Sequence, residues 1–360
     1  MNYINLYHIY NNKSIQVKNV NIMSKEFVIH TAIEDQVGKS FRDKLEPIEI
    51  QKVLAHFGLE QAEPDIAFRL SFLAVSPEGR RNSHFQDAKE IAEIIDNVVP
   101  EGFSQEDLDK LRVACLLHDI GKAGPAEILD DEISQEDQLE MIEAFAILFN
   151  VDPHPQDYDG RSFQDVPFTE VLVKELGSEE GSRVSTLILK ATALQKKKSA
   201  ETMVKSSSSM GHVWAAHVYW TFDVLKMHNI DKRIVEIASS HHLLDGRNPA
   251  RVNLENTDSS IASLEVVDKY QAYLVRGRSA KPETEEDKPV LESVVAGELA
   301  DKYQAYIVRG FRTHEDTVKI LREIVRTKLE KMPKTLEVYL RCIDSIEKNK
   351  DLLKREMELT

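Results

Sequence analysis

Apolar residues recur at helical spacing along most of the chain. The 3.6-residue period is shared by four segments: 84–142, 210–242, the segment from 260 onward, and 313–358. A Pro–Gly pair at 100–102 interrupts the first segment, and Ser104 followed by Asp107 resembles a capping box that starts the next helix. The sequence contains no run of strand–turn–helix units, no glycine-rich dinucleotide fingerprint and no P-loop. The pattern therefore predicts a mainly α fold.

Turn-forming residues and changes in composition suggest the organisation of the chain. The turn-rich segment SPEGRRNS divides an N-terminal region, residues 1–75, from a large domain, residues 76–330, and a C-terminal helix follows at 331–360. SIQVKNVNIM predicts a strand and PIEIQKVLAHFG a helix, which favours an α+β N-terminal region; a regulatory role and a role in forming a homodimer are both open for it. The large domain carries an insertion at about 143–205, in which the Lys and Ser runs predict a solvated, mobile connection.

Composition narrows the classes of partner and compartment. The chain has 46 basic and 61 acidic residues, and this net charge of −15 disfavours binding to duplex nucleic acid or to an anionic membrane. No stretch approaches the roughly 18 consecutive apolar residues of a spanning helix, and no secretory signal is expected at the N-terminus. Two cysteines, Cys115 and Cys342, are too few for a disulfide framework, so a cytoplasmic location is expected. The net negative charge does not exclude a small phosphorylated ligand, because a bound metal can supply positive charge locally.

Residue types that bind metals lie in phase with the apolar stripes. His118 and Asp119 end an apolar helix just before Ile-Gly-Lys, where burying an unpaired carboxylate would cost several kcal/mol. Other candidates share a helical face with apolar residues: His84, His217, His241 and Asp268. Each of them alone fits an ordinary core residue. Together they favour a bound cation, because buried imidazoles and carboxylates need partners.

The same residues resemble a known family. LLHDIGK, with an upstream histidine and a downstream aspartate, resembles the HD superfamily of metal-dependent phosphohydrolases. GKAGPAEIL, QEDQLEM, HVYWTFDVL, SHHLLDGRNP and IASLEVVDKYQA then follow in the order of the HD-GYP family, which hydrolyses cyclic dinucleotides. The similarity covers roughly residues 84–142 and 206–330. It implies an HD-type helical bundle around a binuclear metal centre.

The resemblance implies a role for each matching residue. One metal would be bound by His84, His118, Asp119 and Asp268. The second would be bound by Asp119, His217, His241 and His242, so that Asp119 bridges the two. Lys122 matches the lysine that contacts the substrate phosphate, and Asp119 and Lys122 are the expected catalytic residues. Further candidates for contacts to phosphate or guanine are Arg247, Arg251 and Arg276. Histidine with carboxylate ligands suits iron, manganese, zinc or cobalt, so two divalent transition metals are expected.

Two ligand positions have competitors in the sequence. His212 lies in the same predicted helix as His217, and both the helical phase and the family spacing favour His217. Asp268 begins DKYQAYLVRG, and Asp301 begins the nearly identical DKYQAYIVRG. Asp268 lies 27 residues after His241 and Asp301 lies 60 residues after it, so spacing favours Asp268.

Three positions depart from the family pattern. The family's His-His-Glu is replaced by His-His-Leu at 241–243, and its Gly-Tyr-Pro by Arg-Asn-Pro at 247–249. Arg80 stands where trinuclear members carry a glutamate, so a third metal is not expected. The leading hypothesis is a metal-dependent phosphodiesterase that hydrolyses a cyclic dinucleotide, with cyclic di-GMP as the first choice. The alternatives are an HD phosphohydrolase acting on a mononucleotide or another phosphoester, and a non-catalytic HD protein that binds a nucleotide or a signalling partner.

Overall fold

The mainly α fold predicted from the sequence is confirmed. A computed structural model describes residues 64–74, 83–98, 102–129, 133–151, 158, 161–194, 200–274 and 314–351. The α-helices within these ranges are α1 Pro64–Leu73, α2 His84–Val98, α3 Gln105–Leu117, α4 Gln135–Asn150, α5 Phe168–Leu176, α6 Ser178–Leu194, α7 Met210–Met227, α8 Lys232–Ala238, α9 Ser259–Leu274, α10 His314–Lys328 and α11 Pro333–Lys348. These ranges contain no strand, only an isolated bridge between Pro167 and Ser209. The elements predicted within 1–63 and the second DKYQAY copy lie outside the described residues.

Side-chain caps explain where several helices begin. Ser104 precedes α3, and its hydroxyl accepts a hydrogen bond from the Asp107 N–H at 3.1 Å, which confirms the predicted start of this helix. The Asp107 carboxylate bonds to the Ser104 hydroxyl at 2.6 Å, because aspartate is one methylene shorter than the glutamate of a full capping box. Ser134 and Ser209 cap α4 and α7 in the same way.

The core of the fold is a bundle formed by α2, α3, α7, α8 and α9. The helix α3 contacts α2, α8 and α9, while α9 also contacts α2 and α8. Their shared interior contains fully buried apolar side chains, among them Leu111, Ala114, Ile261 and Leu264. The C-terminal pair α10 and α11 packs against α9. No helix of the described segments combines the length and the apolar character needed to cross a bilayer.

The insertion packs on the bundle through α4 and α7. Helices α5 and α6 lie against each other and against α4. Within the predicted solvated connection, Ser206 and Ser207 are exposed, whereas Thr202 and Val204 are buried, and the Lys run lies outside the described residues. Backbone hydrogen bonds from Phe168 N–H to the Ser208 carbonyl and from Met210 N–H to the Val166 carbonyl fix this segment. A polar composition does not reveal such backbone pairing.

The helix α1 packs on the bundle through buried apolar side chains and one buried charge. Arg69 is fully buried, and its guanidinium donates to the carbonyl oxygens of four consecutive residues at 2.9–3.3 Å: Ala123, Gly124, Pro125 and Ala126. This turn directly follows the 3₁₀ helix Ile120–Ala123, which contains Lys122. The sequence shows no periodic feature that singles out Arg69.

Gly121 lies where the 3₁₀ helix Ile120–Ala123 crosses α7. A Cβ at this position would lie 2.1 Å from the His217 carbonyl oxygen and 2.5 Å from the Thr221 nitrogen. The Gly121 N–H donates to Thr221 Oγ1 at 3.0 Å, and this hydroxyl donates to the His118 carbonyl at 2.9 Å. Glycine is therefore required by the close approach of two backbone segments that both lead to candidate ligands.

Substituting Gly121 with alanine is expected to lower the free energy of unfolding by about 3 kcal/mol or more, because the new methyl group overlaps rigid backbone. Gly177→Ala is the matched control. Gly177 has a positive φ of 87°, but a methyl group there would meet no atom within 4 Å, so its cost is about 1 kcal/mol from backbone strain alone. Urea denaturation of both variants measures the difference. Equal stabilities would show that the crossing is looser than described.

Candidate metal centre

Eight of the predicted site residues converge at one end of the bundle. They are His84, His118, Asp119, Lys122, His217, His241, His242 and Asp268. All are buried except His242, which is half-buried. They come from the first residue of α2, the end of α3 and the 3₁₀ helix after it, the middle of α7, the turn after α8, and α9. We call the histidines and aspartates of this group, without Lys122, the His/Asp cluster.

One oxygen of the Asp119 carboxylate faces α7 and the turn after α8. Asp119 Oδ1 lies 3.4 Å from His217 Nε2 and 3.7 Å from His241 Nε2. The His242 ring lies next to both, with its centroid 5.3 Å from that of His217 and 4.4 Å from that of His241. This half of the cluster corresponds to the second predicted ligand set.

The other oxygen of Asp119 faces the remaining candidates. Asp119 Oδ2 lies 3.4 Å from His118 Nε2, 3.9 Å from His84 Nδ1 and 2.5 Å from Lys122 Nζ. Asp268 Oδ1 lies 3.8 Å from the same His118 nitrogen. The first predicted ligand set is thus assembled around Oδ2, and the two oxygens of one carboxylate face different sets of side chains.

Three imidazoles of the cluster are oriented in the same way. The Nδ1 atoms of His118, His217 and His241 each bond to the carbonyl oxygen three residues earlier in the chain, those of Cys115, Trp214 and Ala238. A carbonyl only accepts hydrogen bonds, so each Nδ1 carries the proton and each Nε2 of a neutral ring presents a lone pair. Such backbone bonds are typical of histidines that bind metals through Nε2.

The unprotonated nitrogens have no adequate protein partner among the described residues. His217 Nε2 and His241 Nε2 lie 3.1 Å apart, and both orient a lone pair towards the same space. His118 Nε2 is buried and makes no hydrogen bond within the described part of the chain. Two converging lone pairs repel unless a cation lies between or beside them. Together with the Asp119 carboxylate, these donors fit a divalent transition metal.

The electrostatics hold Asp119, His241 and His242 in the protonation states that metal binding requires. Burial alone would lower the pKa of His118, but the carboxylates of Asp119 and Asp268 raise it. Burial alone would raise the pKa of Asp119, but its close contacts with His118 and Lys122 hold it well below its usual range. Burial and the neighbouring imidazoles hold the pKa of His241 well below its usual range. Burial lowers the pKa of His242 to about 3. Asp119 is therefore ionised, and His241 and His242 are neutral, at neutral pH.

The C-terminal end of α4 supports the cluster, which the sequence did not predict. His84 Nε2 lies 3.2 Å from the Phe149 carbonyl oxygen, and the Trp214 indole N–H donates to the Leu148 carbonyl at 3.2 Å. The Phe149 ring also packs edge-on against the ring of His217, with centroids 5.9 Å apart. Carbonyls in the last turn of a helix lack intrahelical donors, and they carry the negative end of the helix dipole. They can therefore orient imidazoles and favour a nearby cation.

The remaining predicted residues lie at the edge of the cluster or away from it. His212 is half-buried and its Nε2 lies 3.1 Å from the Met203 carbonyl, so the structure places His217 and not His212 in the cluster. Arg247 is half-buried in the turn after His242, and its N–H donates to the His242 carbonyl at 3.2 Å. Arg251 is exposed. Three other positions lie outside the described residues: Arg80, Arg276 and Asp301.

A comparison with family models supports the presence of a metal-binding site in part of the chain. Neither the curated proteins nor the solved structures contain a significant match to the chain. The family model described as "HD domain" matches residues 84–157, which include α2, α3 and α4 and the candidates His84, His118, Asp119 and Lys122. The candidates on α7, α8 and α9 follow this segment. Residues 84–157 are therefore similar to the HD domain, an all-helical fold typical of metal-dependent phosphohydrolases.

Proposed function

We propose that this protein is a metal-dependent phosphodiesterase that hydrolyses a cyclic dinucleotide, with cyclic di-GMP as the first substrate to test. The observation that carries the proposal is the division of the Asp119 carboxylate: Oδ1 faces His217 and His241, and Oδ2 faces His118. The two groups of imidazoles adjoin, since the ring centroids of His118 and His241 lie 4.8 Å apart. A carboxylate shared in this way can bridge the two ions of a two-metal hydrolytic centre. The HD domain match supports the coarser class of the reaction.

The candidate ligands divide into two sets. The first metal would be held by His84, His118, Asp119 and Asp268, and the second by Asp119, His217, His241 and His242. Iron, manganese, zinc and cobalt suit this mixture of imidazole and carboxylate donors. Two such ions, when bound, supply Lewis acidity and lower the pKa of water for attack on a phosphodiester.

Lys122 is suited to bind the substrate phosphate. Its amine is buried, 2.5 Å from Asp119 Oδ2 and 3.1 Å from His84 Nδ1. An ammonium has three protons to donate, and it can stabilise the negative charge that develops on phosphoryl oxygens. Because Asp119 Oδ2 and His84 Nδ1 both contact the amine, the lysine is fixed beside the first ligand set.

The turn after His242 supplies a second basic group. Asn248 accepts from the Val252 N–H at 2.8 Å and donates to the Val252 carbonyl at 2.7 Å, so its side chain closes the loop that begins at Arg247. The half-buried guanidinium of Arg247 acts electrostatically on His217, whose pKa is lowered by burial and further by this charge. An arginine placed beside the cluster favours a phosphorylated substrate, because a guanidinium binds phosphate through two parallel hydrogen bonds.

The replacement of Gly-Tyr-Pro by Arg-Asn-Pro favours a second candidate, hydrolysis of a mononucleotide or another phosphoester. Protein loaded with manganese or ferrous iron should be assayed against cyclic di-GMP, its linear dinucleotide, GMP and a generic phosphodiester. We expect cyclic di-GMP to be opened to the linear dinucleotide or to GMP. Turnover of mononucleotides alone would favour the second candidate. A protein that binds metals and nucleotides without turnover would be the non-catalytic alternative.

Lys122→Ala should reduce kcat about 100-fold while both metals stay bound, because the lysine stabilises charge on the phosphoryl group and its amine is not a metal ligand in this assignment. Lys226→Ala, at an exposed position near the end of α7, is the control and should keep full activity. Initial rates and metal content are measured on the same preparations. Loss of metal in Lys122→Ala, or an unchanged kcat, would contradict the assignment.

A further inference from the structure

His242 is oriented differently from the other histidines of the His/Asp cluster. Its Nδ1 lies 2.9 Å from Asp245 Oδ2, whereas the Nδ1 atoms of His118, His217 and His241 bond to backbone carbonyls. The carboxylate accepts the Nδ1 proton, which leaves the lone pair on Nε2. Asp245 lies three residues after His242, in the 3₁₀ helix Leu243–Asp245, so both groups are carried by one short turn.

Two lysines from different helices hold the Asp245 carboxylate. Lys269 of α9 lies 3.0 Å from Asp245 Oδ2, and Lys328 of α10 lies 2.8 Å from Oδ1. Lys328 also donates to the Leu244 carbonyl at 2.9 Å. Both oxygens of Asp245 are thus fixed, and the turn that carries His242 is attached to the last residue of α10.

Stabilisation of the fold explains the contact between Asp245 and Lys328 poorly. The side chains of Asp245 and Lys328 are 32% and 41% exposed, and ion pairs at such positions contribute about 0–1 kcal/mol. The contacts have a definite geometric effect instead: Lys269 and Lys328 fix the Asp245 carboxylate, which in turn fixes the His242 ring. A carboxylate hydrogen-bonded to the far nitrogen of a histidine sets its tautomer and ring orientation and makes it a better metal ligand.

We propose that Asp245 is a positioning residue for His242 and that Lys328 extends this function to α10. The inference rests on the proposed metal centre and goes beyond it, because it makes affinity for the second metal depend on a helix outside the segment that matches the HD domain. Affinity for the first metal does not depend on Asp245, because none of that ligand set contacts it in the described structure.

The first test compares Asp245→Ala and Asp245→Asn with the wild type, by titrating metal-free protein with Mn²⁺ in competition with a chelator. Asp245→Ala should bind one ion normally and the second about 10- to 100-fold more weakly. Asp245→Asn should lose less, because its side-chain oxygen still accepts the Nδ1 proton. The visible spectrum of Co²⁺-loaded Asp245→Ala should also change, since a rotated His242 alters the ligand geometry. Equal affinities for both ions in all three proteins would overturn the proposal.

The second test uses two substitutions on α10. Lys328→Met should weaken the second metal roughly 3- to 10-fold, as a more distant member of the same hydrogen-bonded chain. Arg322→Met is the matched control, because Arg322 pairs with Asp344 and Glu347 and does not contact Asp245. Equal weakening in both variants, or weakening of both metals together, would show a general loss of structure and refute the positioning role.

The outcomes also separate this inference from the proposed function. If the wild type binds two ions and the Asp245 variants bind them equally well, only the positioning role fails. If the wild type binds two ions, the Asp245 variants lose the second and no phosphodiester is hydrolysed, only the proposed activity fails. If the wild type binds no metal, both fail.

Discussion

Asp119→Asn is expected to abolish the binding of both metal ions. Asp119 Oδ1 faces His217 and His241, while Oδ2 faces His118 and Lys122, so one side chain serves both halves of the cluster. Asparagine keeps the shape but replaces one oxygen with an NH₂ group that has no lone pair for a cation, and it removes the negative charge. After this substitution, Asp268 would be the one carboxylate left among the assigned ligands, and the other ligands would be neutral imidazoles. A single negative charge would then face two divalent cations.

Metal analysis after dialysis and thermal unfolding with added Mn²⁺ measure this effect. The wild type should gain about 2.7 kcal/mol of stability for each bound ion at a metal concentration of 100 times Kd, and Asp119→Asn should gain nothing. His212→Ala is the control, because His212 lies on the same helix as His217 but contacts the Met203 carbonyl and not Asp119. Its metal content should equal that of the wild type. One full equivalent of metal retained by Asp119→Asn would show that the carboxylate does not bridge.

The sequence was most informative where a polar residue interrupts an apolar stripe. His217 occupies a buried position of α7 between Val213 and Trp220, and Asp268 continues the stripe of Ile261 and Leu264 in α9. Helical phase alone therefore placed their side chains in the interior. The helical phase also favoured His217 over His212, and in the structure the His217 side chain lies beside Asp119.

Backbone groups that support the cluster could not be predicted from helical phase. The Phe149 carbonyl that orients His84 belongs to the end of a helix, and any residue type at that position supplies the same oxygen. Asp245 could have been found, because an acidic residue three positions after a candidate histidine can reach its ring within one turn. The two lysines that hold Asp245 could not be predicted, since Lys328, for example, contacts Asp245 from a distant part of the chain.

A loss of stability as large as that of Gly121→Ala is expected for a substitution of Arg69, whose charge is buried without a carboxylate at ion-pair distance among the described residues. Burial lowers its pKa to about 10, so the guanidinium stays charged at neutral pH. Its compensation comes from carbonyl oxygens of the turn 123–126, two of them at 2.9 Å. Replacing Arg69 removes the cost of burying its charge. It also leaves several buried carbonyl oxygens without a hydrogen-bond donor, and each of these costs about 1–3 kcal/mol. The cost of the unpaired carbonyls is larger than the gain, because several of them lose their donor while only one charge is removed.

Arg69→Met, which keeps the aliphatic stem, is therefore expected to lower the free energy of unfolding by about 3 kcal/mol or more. Arg183→Met should change it by less than about 1 kcal/mol, because Arg183 forms ion pairs with Glu140 and Glu180 at partly exposed positions. Urea denaturation of the metal-free proteins compares the two variants. Since the turn held by Arg69 directly follows Lys122, the kcat of the folded fraction should also fall in Arg69→Met. If Arg69→Met is as stable as Arg183→Met, the contacts of the Arg69 guanidinium with the turn 123–126 do not contribute to the stability of the domain.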